Sequence, residues 1–392
     1  MASVYLVIVP SALLLSIGTL MVWSASTVFA YTQFGNGYYF LKRHAVFLAL
    51  GILVAFIVSR IPTERLRSLG WPILGLSVLL ILLTFIPGIG VDIKGNRNWI
   101  DLVPGTAMVR LQPSEFAKLA IIAWGATVFV AKRRLLHESR HMVVPFVPGA
   151  LMVTALVILQ KDLGTAMLLG AIMLALLWFV GAPGRVLAGL TLGIGAGVAV
   201  LAFLEPGRLA RISGFLDRTS NLTGVNHQPQ QAIYGLATGG WWGVGLGASR
   251  MKWGKLVEAH TDFVLAIIGE ELGVWGTLVV LFLLFAIGFA GFRIALRTGS
   301  EYGRLLAAGI TSWLMIQAIV NVFVVLRWMP VIGVPLPLVS YGGSALMSSL
   351  IGLGILVSCA REEPEAKAYL AKRRKRRPRT TRITTVSTSK QS

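Results

Sequence analysis

Charge is scarce in this 392-residue sequence. Asp, Glu, Lys and Arg together make up 13% of it, about half the share found in soluble proteins. Acidic residues are the rarer sign, 16 against 36 basic, which leaves a formal net charge of +20. There is one cysteine, Cys359, so an internal disulfide and a cysteine metal cluster are both excluded. That thiol reads as a small apolar filler late in a helix. No basic stretch precedes the first apolar run, which therefore reads as a retained first span rather than a cleaved leader. No internal repeat is evident, so an inverted-repeat transporter lacks its usual sequence pointer.

What the chain has in abundance is apolar length. It is 55% hydrophobic with a mean hydropathy of +0.75, and its apolar runs approach the roughly 20 residues that cross a bilayer as a helix. These runs fall near 4–30, 44–60, 72–88, 112–131, 147–161, 163–181, 187–204, 262–292, 304–326 and 336–360. The fifth and sixth meet at Gln160-Lys161-Asp162 with almost no loop between them. Reading them as separate spans, with both termini cytoplasmic, gathers 22 of the 36 Lys and Arg residues into the cytoplasmic pieces. Merging them would send two basic segments outside, against the positive-inside rule. The sequence thus predicts an all-α integral membrane protein of ten transmembrane helices. Residues 1–360 form the membrane domain, and a long extracellular loop, about 205–261, lies between helices 7 and 8. Residues 361–392 form a basic tail that lacks apolar periodicity and is expected to be disordered. A basic tail just after a span reads as a cytoplasmic anchor for anionic lipid, not as a nucleic-acid site.

Ionisable residues within spans are functional candidates by default. In QPSEFAKLA, Glu115 and Lys118 share a helix face, either as a self-neutralising pair or as chemistry. In KDLGTA, Asp162 reads as an N-cap that can also face the outer cavity. Glu270 and Glu271 project about 100° apart on a helix, too divergent to share a proton, and suit capping or pairing with a buried cation. Asp262 falls at the outer end of its span, after the long basic loop. It is either a helix cap or a general base, and one carboxylate among many cations suits a reaction whose leaving group is a phosphate anion. The Pro- and Gly-rich stretch MPVIGVPLPLVSYGGSA implies irregular backbone lining a cavity. Its amides around Ser340, Tyr341, Gly342, Gly343 and Ser344 could cradle an anion.

Together, GNRNWIDL, LQPSEFAKLA, KDLGTA, GLGASRMKWGKLVEAHTDFVLAIIGEELG and PVIGVPLPLVSYGGSA resemble, in order, the hallmark segments of one family. It is the SEDS family of FtsW, RodA and SpoVE, and the likeness covers residues 1–360, with the FtsW members most similar. The resemblance implies ten helices with a long loop between the seventh and eighth. It implies a peptidoglycan glycosyltransferase that polymerises lipid II with a class B penicillin-binding protein and other divisome proteins, at the division septum of the bacterial cytoplasmic membrane. The family's essential aspartate matches Asp262, and its further motif residues match Glu115, Lys118, Asp162, Arg97, Trp99 and Ser340 to Ser344. His260 lies in the same motif as Asp262. Lys161 stands where the family usually has proline, and Val257 departs from its LPEAH pattern.

The implied chemistry has Asp262 as base. Lys118, Arg250, Lys252 or a divalent cation (Mg or Mn) offsets the departing diphosphate, and no organic cofactor is needed. A lipid II flippase and a non-catalytic scaffold are the rival classes, and a RodA-like role in elongation is a variant of the first reading.

Overall fold

In a computed structural model, residues 2–93, 95–101, 109–204, 206–216 and 227–376 are described. The chain is an all-helical membrane protein built of long apolar helices. It begins with α1 (Ala2–Phe34), α2 (Tyr39–Val58), α3 (Thr63–Ser68) and α4 (Gly70–Leu83). A small sheet follows, of β1 (Gly90–Ile93), β2 (Asn96–Asp101) and β3 (Arg110–Leu111). Next come α5 (Pro113–Ala131), α6 (Ser139–Val143), α7 (Phe146–Leu159), α8 (Leu163–Val180) and α9 (Gly184–Phe203). The long connection holds α10 (Pro206–Leu216) and α11 (His227–Gly239). The chain then closes with α12 (Val264–Arg297), α13 (Glu301–Val325), α14 (Gly343–Arg361) and α15 (Pro364–Arg376).

Among the described residues nine helices are long and apolar enough to cross a membrane, counting α6 and α7 together. The fourteen-residue α4 is shorter but equally apolar. With it, each of the ten apolar runs corresponds to one helix. The fifth and sixth are separate, since the chain turns at Gln160–Asp162 between α7 and α8.

Polarity is inverted relative to a soluble fold. Phe282, Phe285 and Phe289 of α12 are 67%, 68% and 55% exposed, whereas Glu115, Lys118, Glu270 and Glu271 are buried. Hydrocarbon accepts the former and would reject the latter, which must therefore find partners inside the protein.

Two features depart from the sequence reading. The 90–111 connection forms an antiparallel three-stranded sheet in the order β1-β2-β3, with Val91 opposite Trp99 and Ile100 opposite Leu111. Gly95, at φ 81°, supplies the left-handed residue of the hairpin turn, and its amide donates to Asp92. A short hairpin leaves almost no trace among long apolar runs. The start of the tail, Pro364–Arg376, is helical rather than irregular. Residues 377–392 lie outside the described part.

The chain between α11 and α12 folds back onto the first turns of α12. Glu270 accepts from the Ser249 hydroxyl and from the amides of Arg250 (2.9 Å) and Met251 (3.4 Å). Glu271 pairs with Lys252 at 3.2 Å and accepts from the Ser24 hydroxyl of α1 at 2.7 Å. The side chains of Lys252 and Glu271 are 6% and 0% exposed. Both glutamates are therefore structural, as their depth and angular offset suggest. Replacing Glu271 by Ala should destabilise the purified protein by about 3–5 kcal/mol, because it strands a buried ammonium. The double change Glu271→Leu with Lys252→Met should recover much of that loss in thermal unfolding.

Candidate active site

The polar ends of the helices enclose a cavity of about 980 Å³. The 257–262 turn, the 327–335 segment, β2, the α7–α8 turn and the start of α14 supply most of its wall, and α2, β1, β3, α5, α9, α10 and α11 also contribute. Asp262 lines it, two residues before α12 begins. Its carbonyl accepts from Asn321 Nδ2 at 2.8 Å, and the same amide group donates to Val334 O at 2.8 Å. Asn321 of α13 thus staples the Asp262 backbone to the 327–342 segment. Gly333 lies against the Asp262 carboxylate, where an added Cβ would stand 3.8 Å from Oδ2, and its φ of 74° favours glycine. Thr261 does not cap α12, because its hydroxyl is turned to Glu258.

Asp162 combines two roles. It caps α8 by accepting from the Thr165 amide at 3.0 Å, and it also lines the cavity. Its other oxygen accepts from the Thr165 hydroxyl at 2.9 Å and the Gln112 amide at 2.7 Å, with Asn98 and Ser114 at 3.4 Å. One carboxylate thereby gathers β2, the start of α5 and the start of α8. Trp99, next along β2, faces the cavity.

Below this layer Glu115 and Lys118 form an ion pair of 2.7 Å, with the lysine wholly buried. Lys118 also donates to Gln317 Oε1 at 3.2 Å and lies 5.0 Å from the centre of the Trp313 ring. Gln317 in turn receives the Trp313 indole at 2.8 Å and donates to Pro335 O at 2.9 Å. Ser348 of α14 donates to Glu115 at 3.3 Å. The pair therefore ties α5, α13 and α14 to the cavity wall.

Several residues singled out from sequence are placed differently from their expected roles. Lys118 is sealed beneath the cavity and Lys252 is held by Glu271, so neither reaches a diphosphate. Arg250 is exposed and does not line the cavity. Its amide, not its guanidinium, joins the fold. Arg97 points away and meets Asp92 at 3.7 Å, because its neighbours on either side, Asn96 and Asn98, take the inward face of β2. The Ser340–Ser344 amides do not all face an anion. The Ser340 amide donates to Leu336 O, the Tyr341 amide to His260 O, and the Ser340 hydroxyl receives Leu336 N. Ser344 is tied to Gln112 N at 2.8 Å. Tyr341, Gly342 and Gly343 do reach the cavity. His260 is 7% exposed and stacks among Phe29, Phe40 and Tyr341.

Among the described residues, the cations that do line the cavity are Arg43, Arg110, Lys161, Arg211 and Arg327. Sequence alone noted Lys161 without assigning it a role and did not single out the others. Arg327, Gln317 and Asn321 carried one usable signal, as polar residues in or just after the α13 span. Among the described residues no group of three or more His, Cys, Asp or Glu side chains is placed to hold a metal ion.

Among the described residues, three of the four non-glycine residues with positive φ, Lys161, Glu258 and Arg327, also line the cavity (φ 63°, 58° and 58°). Each such residue costs about 1–3 kcal/mol, and strain of this kind gathers at functional sites.

Residues 4–365 match the family model FTSW_RODA_SPOVE, described as cell cycle protein. A Mycobacterium tuberculosis protein named probable peptidoglycan glycosyltransferase FtsW is 36% identical over 95% of this chain and 71% of its own length. Stage V sporulation protein E of Bacillus subtilis is 35% identical over 91% of this chain and 96% of its own. Among solved structures, a chain of a peptidoglycan synthase complex coordinating polymerization and crosslinking superposes with a TM-score of 0.72 at 29% identity. The match covers 92% of this chain and 98% of that one. The rod shape determining protein RodA of Thermus thermophilus gives 0.64 at 27% identity, over 92% and 97%. The chain belongs to the SEDS family of cell cycle proteins, that of FtsW, RodA and SpoVE.

Proposed function

We propose that the cavity polymerises lipid II, with Asp262 as the general base of a peptidoglycan glycosyltransferase. That activity is the one named for the FtsW relatives. The observation that carries the reading is the placement of Asp262 in the wall of a 980 Å³ cavity that also carries five cationic side chains. Asp262 takes the proton of the acceptor GlcNAc 4-hydroxyl. The oxygen attacks C1 of the donor MurNAc, the C1–O bond to the diphosphate breaks, and the centre inverts. Undecaprenyl diphosphate leaves already ionised, so no second carboxylic acid is required. The cavity cations offset its charge, and no step passes through a metal.

In this reading both termini are cytoplasmic, the 205–261 connection is extracellular, and the reaction occurs at the outer face of the bacterial cytoplasmic membrane. The 22 basic residues on the cytoplasmic side support that orientation. The basic tail contacts anionic lipid. A class B penicillin-binding protein crosslinks the product, in line with the synthase complex that shares the fold. Likeness to FtsW favours a septal role with other divisome proteins. The Glu115–Lys118 pair, which suits a flippase when read from sequence, is self-neutralising, hydrogen-bonded to Gln317 and Ser348, and supports the cavity wall instead.

Replacing Asp262 by Ala should lower glycan formation from lipid II by about 10²–10⁴-fold, the usual contribution of a general base. The measurement uses the purified chain with its penicillin-binding partner. Thermal unfolding should be nearly unchanged, and glycan strands made at the parental rate would refute the assignment. Replacing Asn321 by Leu leaves the Asp262 and Val334 carbonyls without their shared donor, at about 1–3 kcal/mol each. Polymerisation by that variant should fall at least about tenfold while lipid II still binds, as read by kcat against KM.

A further inference from the structure

Two of the cavity cations occupy positions where a side chain is structurally costly. Lys161 follows the end of α7, Arg327 follows the end of α13, and both take left-handed backbone. At such helix ends glycine enters this region freely, whereas lysine and arginine do so with strain. Backbone hydrogen bonds close both turns. The Lys161 amide donates to Ile158 O at 2.8 Å and the Asp162 amide to Val157 O at 3.3 Å. Likewise the Arg327 amide donates to Val324 O at 3.0 Å and the Trp328 amide to Phe323 O at 2.7 Å.

What the two side chains share is the cavity, which both line. The Lys161 side chain is exposed to it. Arg327 donates through Nη1 to Gln230 at 2.6 Å, while its Nε is buried without a hydrogen-bond partner. A cation near a helix C-terminus also interacts favourably with the helix dipole. One placed a turn earlier would do so without strain, so the dipole does not account for the backbone at these positions.

Resting on the function proposed above, we propose that Lys161 and Arg327 are the residues that hold the diphosphate of the polyprenyl-linked substrate. Arginine offers a planar fork to phosphate oxygens and lysine a compact point charge. Their convergence on one cavity suits a group with several negative oxygens on adjacent phosphorus atoms. The stem-peptide carboxylates are the other anions such a substrate carries, and the test separates the two.

The full-length chain in nanodiscs is titrated with a fluorescent polyprenyl diphosphate, which needs no turnover. Lys161→Gly and Arg327→Gly should each weaken binding about tenfold, and the double variant further. Inorganic pyrophosphate should compete with the probe on the parent chain and lose that competition on the variants. A tripeptide ending in D-Ala-D-Ala should not compete. Lys161→Arg should restore binding. Lys161→Gly should melt no lower than the parent, since glycine relieves the left-handed strain. Unchanged probe binding, competition by the peptide in place of pyrophosphate, or a Lys161→Gly melting point lowered by several degrees would each overturn the proposal. Failure of the glycosyltransferase reading would instead appear as a parent chain that binds the probe yet makes no glycan.

Discussion

Much of the active-site wall rests on the ion pair between Glu115 and Lys118. Two opposite charges three residues apart on α5 are taken out of water, and each acquires a polar neighbour from another helix: Ser348 of α14 for the acid and Gln317 of α13 for the base. Gln317 then reaches the Pro335 carbonyl and so fixes the irregular 327–342 segment. An isolated charge at this depth would be prohibitive, whereas a hydrogen-bonded pair serves as a rigid crosspiece. Four residues on, Asn321 repeats the device by holding Val334 and the backbone of Asp262. The position of Asp262 therefore follows from polar groups on α13 that never need to touch substrate.

A second level of order sits above this one. Asp162 collects donors from β2, α5 and α8, and the two glutamates of α12 anchor the chain that leads to Asp262. Of the cavity's carboxylates, Glu115 and Asp162 are neutralised or crowded with donors belonging to the fold. Glu258, a further carboxylate in the described cavity wall beside Asp262, accepts from the Thr261 hydroxyl at 3.2 Å.

The sequence made some of this legible and hid the rest for identifiable reasons. Long apolar runs and the Lys161–Asp162 break defined the helices, because hydrocarbon demands both length and an absence of charge. Asp162 as a cap and Asp262 beside the long loop could be read from local context. The partners of Lys118 and Lys252 could not, because helical spacing gives the face of a side chain but not the helix it meets. Arg43, Arg110 and Arg327 look from sequence like ordinary charges near span ends. Only the folded chain shows that they converge. The hairpin of β1 and β2 was invisible since its strands are four and six residues long.

The break of α12 at Gly273 sets a height scale for the molecule. All 34 residues at 1.5 Å each would extend about 51 Å, against roughly 30 Å of hydrocarbon. The exposed apolar face begins at Val274 and Trp275 and ends at Leu296, a rise of about 33 Å. From Val264 to Gly273 every residue except the half-buried Leu272 is buried in protein instead. The second part of the helix alone is long enough to cross the acyl layer, so the first part, enclosed by protein, need not meet lipid on its way back to Asp262.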